Sequence, residues 1–199
     1  MKKILTILAI LLAFGAVASA QTPSMPVSIY AGGALSIPTG PDYFKTAFKN
    51  GFHGSLGIGY DVNPMFELVG KVEYHAFKFD FDQAYSDYSG GTNKMWMFGG
   101  DVKFSPSLPA MPVKPYLLGG LGFANIKQSE FKGPTSLALS ILNSAIYDDQ
   151  TKLYWNMGAG FTLMASPVFS LYAQARYVNI ATEGDTSSFI PITVGVKFF

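Results

Sequence analysis

The 199-residue sequence has no cysteine, and 14% of its residues are charged, well below the roughly 25% usual in soluble domains. Without cysteine there is neither a disulfide framework nor a lipid-modified cysteine anchor. A formal net charge of +1 gives no electrostatic case for a nucleic-acid partner. The two histidines and the scattered carboxylates match no ligand spacing, so no metal or other cofactor is expected. A helical membrane span is also lacking. The stretch from Leu153 to Ala175 carries no charge and is long enough to cross a bilayer as a helix, but it contains Gly158, Gly160, Ser166-Pro167 and Gln174 and alternates with period two, which indicates a hairpin.

What the chain has in quantity is glycine (21 residues), aromatic side chains (15%) and alternation. Its first twenty residues stand apart. Lys2 and Lys3, the apolar run Ile4 to Val17, and Ala18-Ser19-Ala20 before Gln21 form the basic, apolar and small-residue regions of a secretory signal peptide. Residues 1–20 are therefore expected to be removed on export, leaving 21–199 as one domain.

Within that domain, "LYWNMGAGFTLMAS" shows the governing pattern. Its odd positions, Leu153, Trp155, Met157, Ala159, Phe161 and Leu163, are apolar, and its even positions from Tyr154 to Thr162 are small or polar. Alternate residues of a strand face opposite sides. Segments of this kind are expected near Val27–Leu35, Gly51–Val62, Phe66–Phe79, Asn93–Phe104, Pro115–Gln128, Leu153–Ser166, Val168–Ile180 and Ser188–Phe199. They are longer than the five or six residues usual in soluble sheets and suit tilted strands crossing a bilayer. The connections alternate as well. Proline turns follow the second, fourth and sixth segments, whereas "SIPTGPDYFKTAFKN", "DFDQAYSDYSGGT", "SEFKGPTSLALSILNSAIYDD" and "ATEGDTS" are mostly longer and more polar.

The faces separate cleanly. Phe66, Leu68, Val72, Tyr74, Trp96, Phe98, Val102, Phe104, Leu117, Leu121, Phe123, Ile190, Ile192, Val194, Val196 and Phe198 fall on one side. His53, Ser55, Glu67, Lys71, Glu73, His75, Asp101, Lys103, Gln174, Arg176 and Lys197 fall on the other. A soluble β-sandwich has the same alternation. Scarce charge and many glycines on the polar face, together with the export signal and the aromatic content, favour an all-β, eight-stranded antiparallel transmembrane up-and-down β-barrel with a polar lumen.

The export signal, the eight segments, "KPYLLGGLGFA" and the ending "FIPITVGVKFF" resemble the small OmpA-type outer-membrane β-barrel proteins of Gram-negative bacteria. The resemblance implies residence in the cell outer membrane, with outer-membrane lipid as solvent. It also implies insertion by the barrel assembly machinery, which reads a terminal aromatic residue. Here that signal is Phe198, in phase with Ile190 to Val196, with Phe199 one residue beyond. No peptidoglycan-binding domain is expected after Phe199.

His53-Gly54-Ser55 matches the histidine and serine spacing of barrel-type lipid A deacylases, with Glu67 downstream. A tight turn at Asn63-Pro64 pairs Ser55 with Glu73 and His53 with His75, leaving Glu67 ~20 Å away, and the cluster faces the lumen rather than lipid. Such a set lacks the oriented contacts of a triad. Glu67, Lys71, Glu73, Asp101, Lys103, Arg176 and Lys197 are instead expected to form a lumen network, because an eight-stranded barrel is just wide enough to be filled by side chains. Removing Arg176 should then destabilise the barrel and open a leak. The interior glycines Gly57, Gly59, Gly99, Gly120, Gly122, Gly158 and Gly160 indicate either room for water or relief of crowding. In the third long loop, Leu137, Ile141 and Ala145 recur at helical spacing after Pro134, beside Leu139, Leu142 and Ile146, and need an apolar partner such as the barrel rim. Tyr43, Phe44, Phe48, Tyr85 and Tyr88 in the first two loops belong to that surface or to an aromatic girdle. The expected function is structural: membrane stabilisation or contact with a surface ligand through the long loops, without catalysis. A narrow channel for small or amphipathic solutes is the second reading and a lipid A-modifying hydrolase the third.

Overall fold

The computed structural model describes residues 26–81, 87–106, 113–134, 137–144, 146, 149–181 and 186–199. The expected signal segment 1–20, Tyr85 and Ala145 lie outside them. Among the described residues the barrel strands are β1 (Val27–Gly40), β2 (Gly51–Asn63), β3 (Phe66–Phe77), β5 (Asn93–Phe104), β6 (Val113–Gln128), β8 (Gln150–Met164), β9 (Phe169–Ala181) and β10 (Thr186–Phe198). Two-residue strands β4 (Ser89–Gly90) and β7 (Phe131–Lys132) pair outside the barrel, and two helices, α1 (Asp42–Ala47) and α2 (Leu137–Ser144), lie in the first and third loops. The eight long strands close in the order β1-β10-β9-β8-β6-β5-β3-β2, every neighbour antiparallel. Closure satisfies the backbone groups that an open sheet edge would expose to lipid.

Local chemistry sets the short-turn rim. Between β2 and β3, Asn63 Oδ1 accepts the N–H groups of Met65 and Phe66 at 2.9 and 3.0 Å. Between β8 and β9, Ser166 Oγ does the same for Val168 and Phe169 at 3.2 Å. Asx and Ser turns of this kind reverse the chain in few residues.

The outer wall is apolar along its whole height, with Ile58, Leu121 and Val194 each more than 60% exposed. Contiguous apolar surface of that extent is a membrane or partner surface rather than a water-facing one. Aromatic pairs bound it at both ends: Phe66–Phe104 and Phe169–Phe198 near the short turns, Tyr74–Trp96 and Trp155–Tyr177 toward the long loops. Val194 pairs with Ala173, which lies midway along β9 between Phe169 and Tyr177. Val194→Arg is therefore expected to destabilise the barrel by roughly 2 to 4 kcal/mol, the cost of a cation at the bilayer midplane. Unfolding from vesicles by denaturant measures it, and a change within a few tenths of a kcal/mol would place Val194 off the lipid face.

Some strand limits differ from those the sequence implies. β1 continues through "SIPTG", which the sequence assigns to a loop, and absorbs Pro38 next to a register shift between Pro38 and Gly40. Prolines are tolerated in sheets at such irregularities. Pro191 lies inside β10, and the β9–β10 ladder is interrupted at Ile190 and Pro191, where proline has no N–H to donate. β8 begins at Gln150 rather than Leu153, since Gln150 and Thr151 pair with Ile126 and Asn125 of β6.

The larger correction concerns the lumen, which is polar only over part of its length. Toward the long-loop rim it is filled by Phe77, Met95, Met97, Ala124, Tyr154, Val178, Ile180 and Phe189, and α1 lowers Phe44 and Phe48 onto them. Phe44 is 2% exposed, with its ring 5.2 Å from Phe48 and 5.3 Å from Phe77. These two aromatics are thus neither girdle nor loop surface, because an apolar lumen wall offers them more burial than the rim does. Tyr43 remains exposed. α2 forms where the loop periodicity places it, three residues after Pro134, with Ile141 exposed. Asn143 fastens it to β7 by accepting the Phe131 N–H at 2.8 Å and donating to the Phe131 carbonyl at 3.1 Å, and Phe131 packs on Phe79 and Phe81.

Candidate functional site

The seven charged residues singled out in the sequence all point into the barrel and meet in two layers. In the middle layer Arg176, on β9, is 1% exposed and holds Glu73, across the lumen on β3, with both terminal nitrogens. Nη1 donates to Oε2 at 3.2 Å and Nη2 to Oε1. Lys71 Nζ lies 2.7 Å from Asp101 Oδ2 and 3.6 Å from Glu73 Oε2. Asn156 donates to Asp101 Oδ1 at 2.9 Å. A bidentate guanidinium–carboxylate pair fixes orientation as well as charge.

The second layer lies nearer the short-turn rim and centres on Glu67. Lys197 and Lys103 approach its carboxylate at 3.0 and 3.6 Å. Ser28 donates to it at 2.9 Å and the Tyr30 hydroxyl at 2.7 Å. Lys103 in turn donates to Tyr30 at 2.9 Å and sits over the Tyr116 ring, 4.1 Å from its centroid. Lys197 also reaches Asp61 at 3.9 Å. Asp61 supplies a fourth acid to match the four bases, a role the sequence reading missed, as it missed Tyr30 and Asn156. Inward parity is the signal that would have found Tyr30 and Asn156.

Above the middle layer the registers His53↔His75 and Ser55↔Glu73 are the ones the Asn63-Pro64 turn implies. The two imidazoles stack at 4.5 Å between centroids. Ser36 Oγ lies 3.2 Å from His53 Nδ1 and 3.0 Å from His75 Nδ1, and Thr193 Oγ1 lies 3.2 Å from His53 Nε2. Both His53 nitrogens are thus engaged by hydroxyls other than that of Ser55. Glu67, opposite Asp61, belongs to the other layer.

The lumen glycines relieve crowding. A Cβ at Gly99 would lie 2.2 Å from the Tyr154 hydroxyl, one at Gly120 2.1 Å from both Asp101 Oδ1 and the Gly100 carbonyl, and one at Gly59 2.1 Å from Glu67 Oε1. Each glycine is the recess for a long side chain, from the adjacent strand at Gly120 and Gly59 and from β8, one strand further on, at Gly99. A cavity of about 30 Å³ remains beside Tyr30, Ser55, Lys71, Glu73, Tyr172 and Gln174, room for one or two waters. Below it a vestibule of about 480 Å³ opens at the short-turn rim, lined in part by Asp61, Glu67, Lys103, Lys114, Lys197 and Phe199. Phe198 pairs with Ile29 and Phe169 at that rim, and the Phe199 N–H donates to the Val168 carbonyl at 3.0 Å.

The sequence profile of the outer membrane protein beta-barrel domain matches residues 6–198. No curated protein sequence matches the chain significantly. Among solved structures, Neisserial surface protein A (NspA) is similar with a TM-score of 0.62 at 18% identity, over 87% of this chain and 96% of that one. A major outer membrane protein of Thermus thermophilus gives 0.55 at 12% identity over 86% and 98%. Ail, the attachment invasion locus protein of Yersinia pestis, gives 0.52 at 19% identity over 86% and 97%. At these identities the likeness is one of fold.

Proposed function

Because this chain belongs to the outer membrane protein β-barrel domain family, and is thereby an integral protein of the outer membrane, we propose that it works as a closed barrel, stabilising the membrane and presenting its long loops at the surface, without catalysis. The observation that carries the reading is the lumen itself. The Arg176–Glu73 pair spans it with both side chains 2% exposed or less, and an apolar plug sits above that pair. A solute path would have to break a buried, bidentate ion pair and displace close-packed aromatics. Against hydrolysis stands the His53 environment, where the serine two residues on is not the hydroxyl in contact. Against it too is the lumen location, which lipid does not reach.

The same reading includes export by a signal peptide cleaved near Gln21, and delivery to the barrel assembly machinery through Phe198, whose side chain is in phase with the lipid-facing residues of β10. The long loops, with α1 and α2, are the parts available to a surface ligand.

Reconstituted in planar bilayers, the unsubstituted protein is expected to hold conductance near background at either polarity. Steady conductance that tolerates voltage would overturn the closed-barrel reading and put the narrow channel first.

A further inference from the structure

The outer wall changes character on one side just above the Trp96 girdle. Four lysines occupy consecutive positions around the barrel there: Lys49 leading into β2, Lys78 continuing β3, Lys94 on β5 and Lys127 on β6. The isolated bridge Phe48↔Phe79 turns both rings inward, which leaves Lys49 and Lys78 on the outer face, and the Lys49 N–H donates to the Lys78 carbonyl at 2.9 Å. Lys94 and Lys127 are direct cross-strand partners on that same face, and like charges so placed repel. Asp80 pairs with Lys49 at 3.0 Å and Asp149 with Lys127 at 3.2 Å. Among the described residues, Lys78 and Lys94 have no ion-pair partner. On the far side of the barrel the outward position of β9 two residues beyond Tyr177 is Asn179, which pairs with Trp155 and is neutral.

A repelling cationic arc, with two more lysines than acids among the described residues and continuous with a lipid-facing wall, is unfavourable in isolation and calls for an external anion. Lysines at the edge of an apolar belt extend their stems along it and place the ammonium at headgroup depth. With the long-loop rim facing outward, as in outer-membrane barrels generally, that depth is the outer leaflet. We propose that Lys78, Lys94 and Lys127 form a docking surface for phosphate-bearing anionic lipid headgroups, so that the barrel gathers such lipid on its β2-β3-β5-β6 side and not on its β9 side. The inference rests on the reading of the chain as a bilayer-spanning barrel and adds the class of lipid it holds.

The chain has two tryptophans, which makes a site-resolved test direct. One reporter is Trp96, two residues below Lys94, isolated by Trp155→Phe. The other is Tyr177→Trp on β9, in a Trp96→Phe, Trp155→Phe background. Both are reconstituted in neutral phosphatidylcholine vesicles. Brominated phosphatidylcholine should quench both reporters, and if it quenches neither, the bilayer reading falls and takes this inference with it. With a minor fraction of brominated phosphatidylglycerol as the only quencher, normalised to the neutral lipid, quenching of Trp96 is expected to exceed that of the Tyr177→Trp reporter by roughly two- to fivefold. Lys78→Gln, Lys94→Gln and Lys127→Gln together should bring the ratio to about one, and salt should reduce it in the unsubstituted protein. Equal quenching of the two reporters without the glutamines would overturn the proposal, as would a preference that survives the triple substitution.

Discussion

Arg176→Ala is expected to destabilise the barrel by roughly 3 to 5 kcal/mol, because it leaves Glu73 buried without its counter-charge. Lys71 stands 3.6 Å from Glu73 but is engaged at 2.7 Å by Asp101, so it cannot replace a bidentate partner without abandoning a second acid. Guanidinium unfolding in vesicles, read by the electrophoretic shift between unheated folded and heated unfolded protein, measures the loss. Arg176→Lys keeps the charge and discards the fork, and should fall between the two. Glu73→Met with Arg176→Met, which removes both charges at similar volume, should recover most of the stability. If that double variant is as unstable as Arg176→Ala, the ion pair is not what the single substitution disturbs.

Phe44→Ala is expected to cost about 3 to 5 kcal/mol locally, the range for emptying a buried phenylalanine site. α1 has six residues and no side-chain cap, and beyond the backbone bonds of so short a turn it has only local ties, the Lys45 N–H to the Pro41 carbonyl at 3.1 Å and Thr46 Oγ1 to the Asp42 carbonyl at 2.8 Å among them. A helix so short has no stability of its own in water. What holds it is the burial of Phe44 and Phe48 among Phe77, Phe79 and the lumen residues beneath. Amide exchange across Asp42–Ala47 should therefore accelerate by orders of magnitude while the strands stay protected. Unchanged exchange would show that another contact secures the helix.

The ion-pair layers and the apolar plug lie in series along the lumen, so removing Arg176 alone is not expected to open it. With the plug in place, Arg176→Ala should stay near background conductance, as should Phe44→Ala by itself, and the two together should conduct. The leak that the sequence assigns to Arg176 presumes a lumen polar from end to end. That presumption failed for a definite reason. Met95, Met97, Val178, Ile180 and Phe189 occupy inward positions near strand ends, where an apolar residue on the polar face reads as an exception to the alternation, and only closure of the barrel shows that these exceptions stack at one level.

The faces of the strands were legible throughout. Every outward and inward assignment from Phe66 to Phe198 and from His53 to Lys197 agrees with the structure, since a period of two admits only two phases and the bilayer punishes the wrong one. The His53↔His75 register was legible too, because the short Asn63-Pro64 turn leaves little choice of pairing. β1 and β8 were read too short, as "SIPTG" and Gln150-Thr151 carry turn-like or polar residues that pair only because a neighbouring strand is already there.

The export signal, composition and alternation together were enough to indicate an eight-stranded barrel with a lipid-facing wall and a charged interior, for alternation and face polarity are properties of single strands and their solvents. Which charge meets which was decided only in three dimensions. Arg176 and Glu73 lie 103 positions apart in the chain, and no local rule joins them. The same holds for the descent of Phe44 into the lumen, where it meets Phe77 of β3 and joins a cluster drawn from β3, β5, β6, β8, β9 and β10, strands whose common level is set by the stagger of the closed sheet.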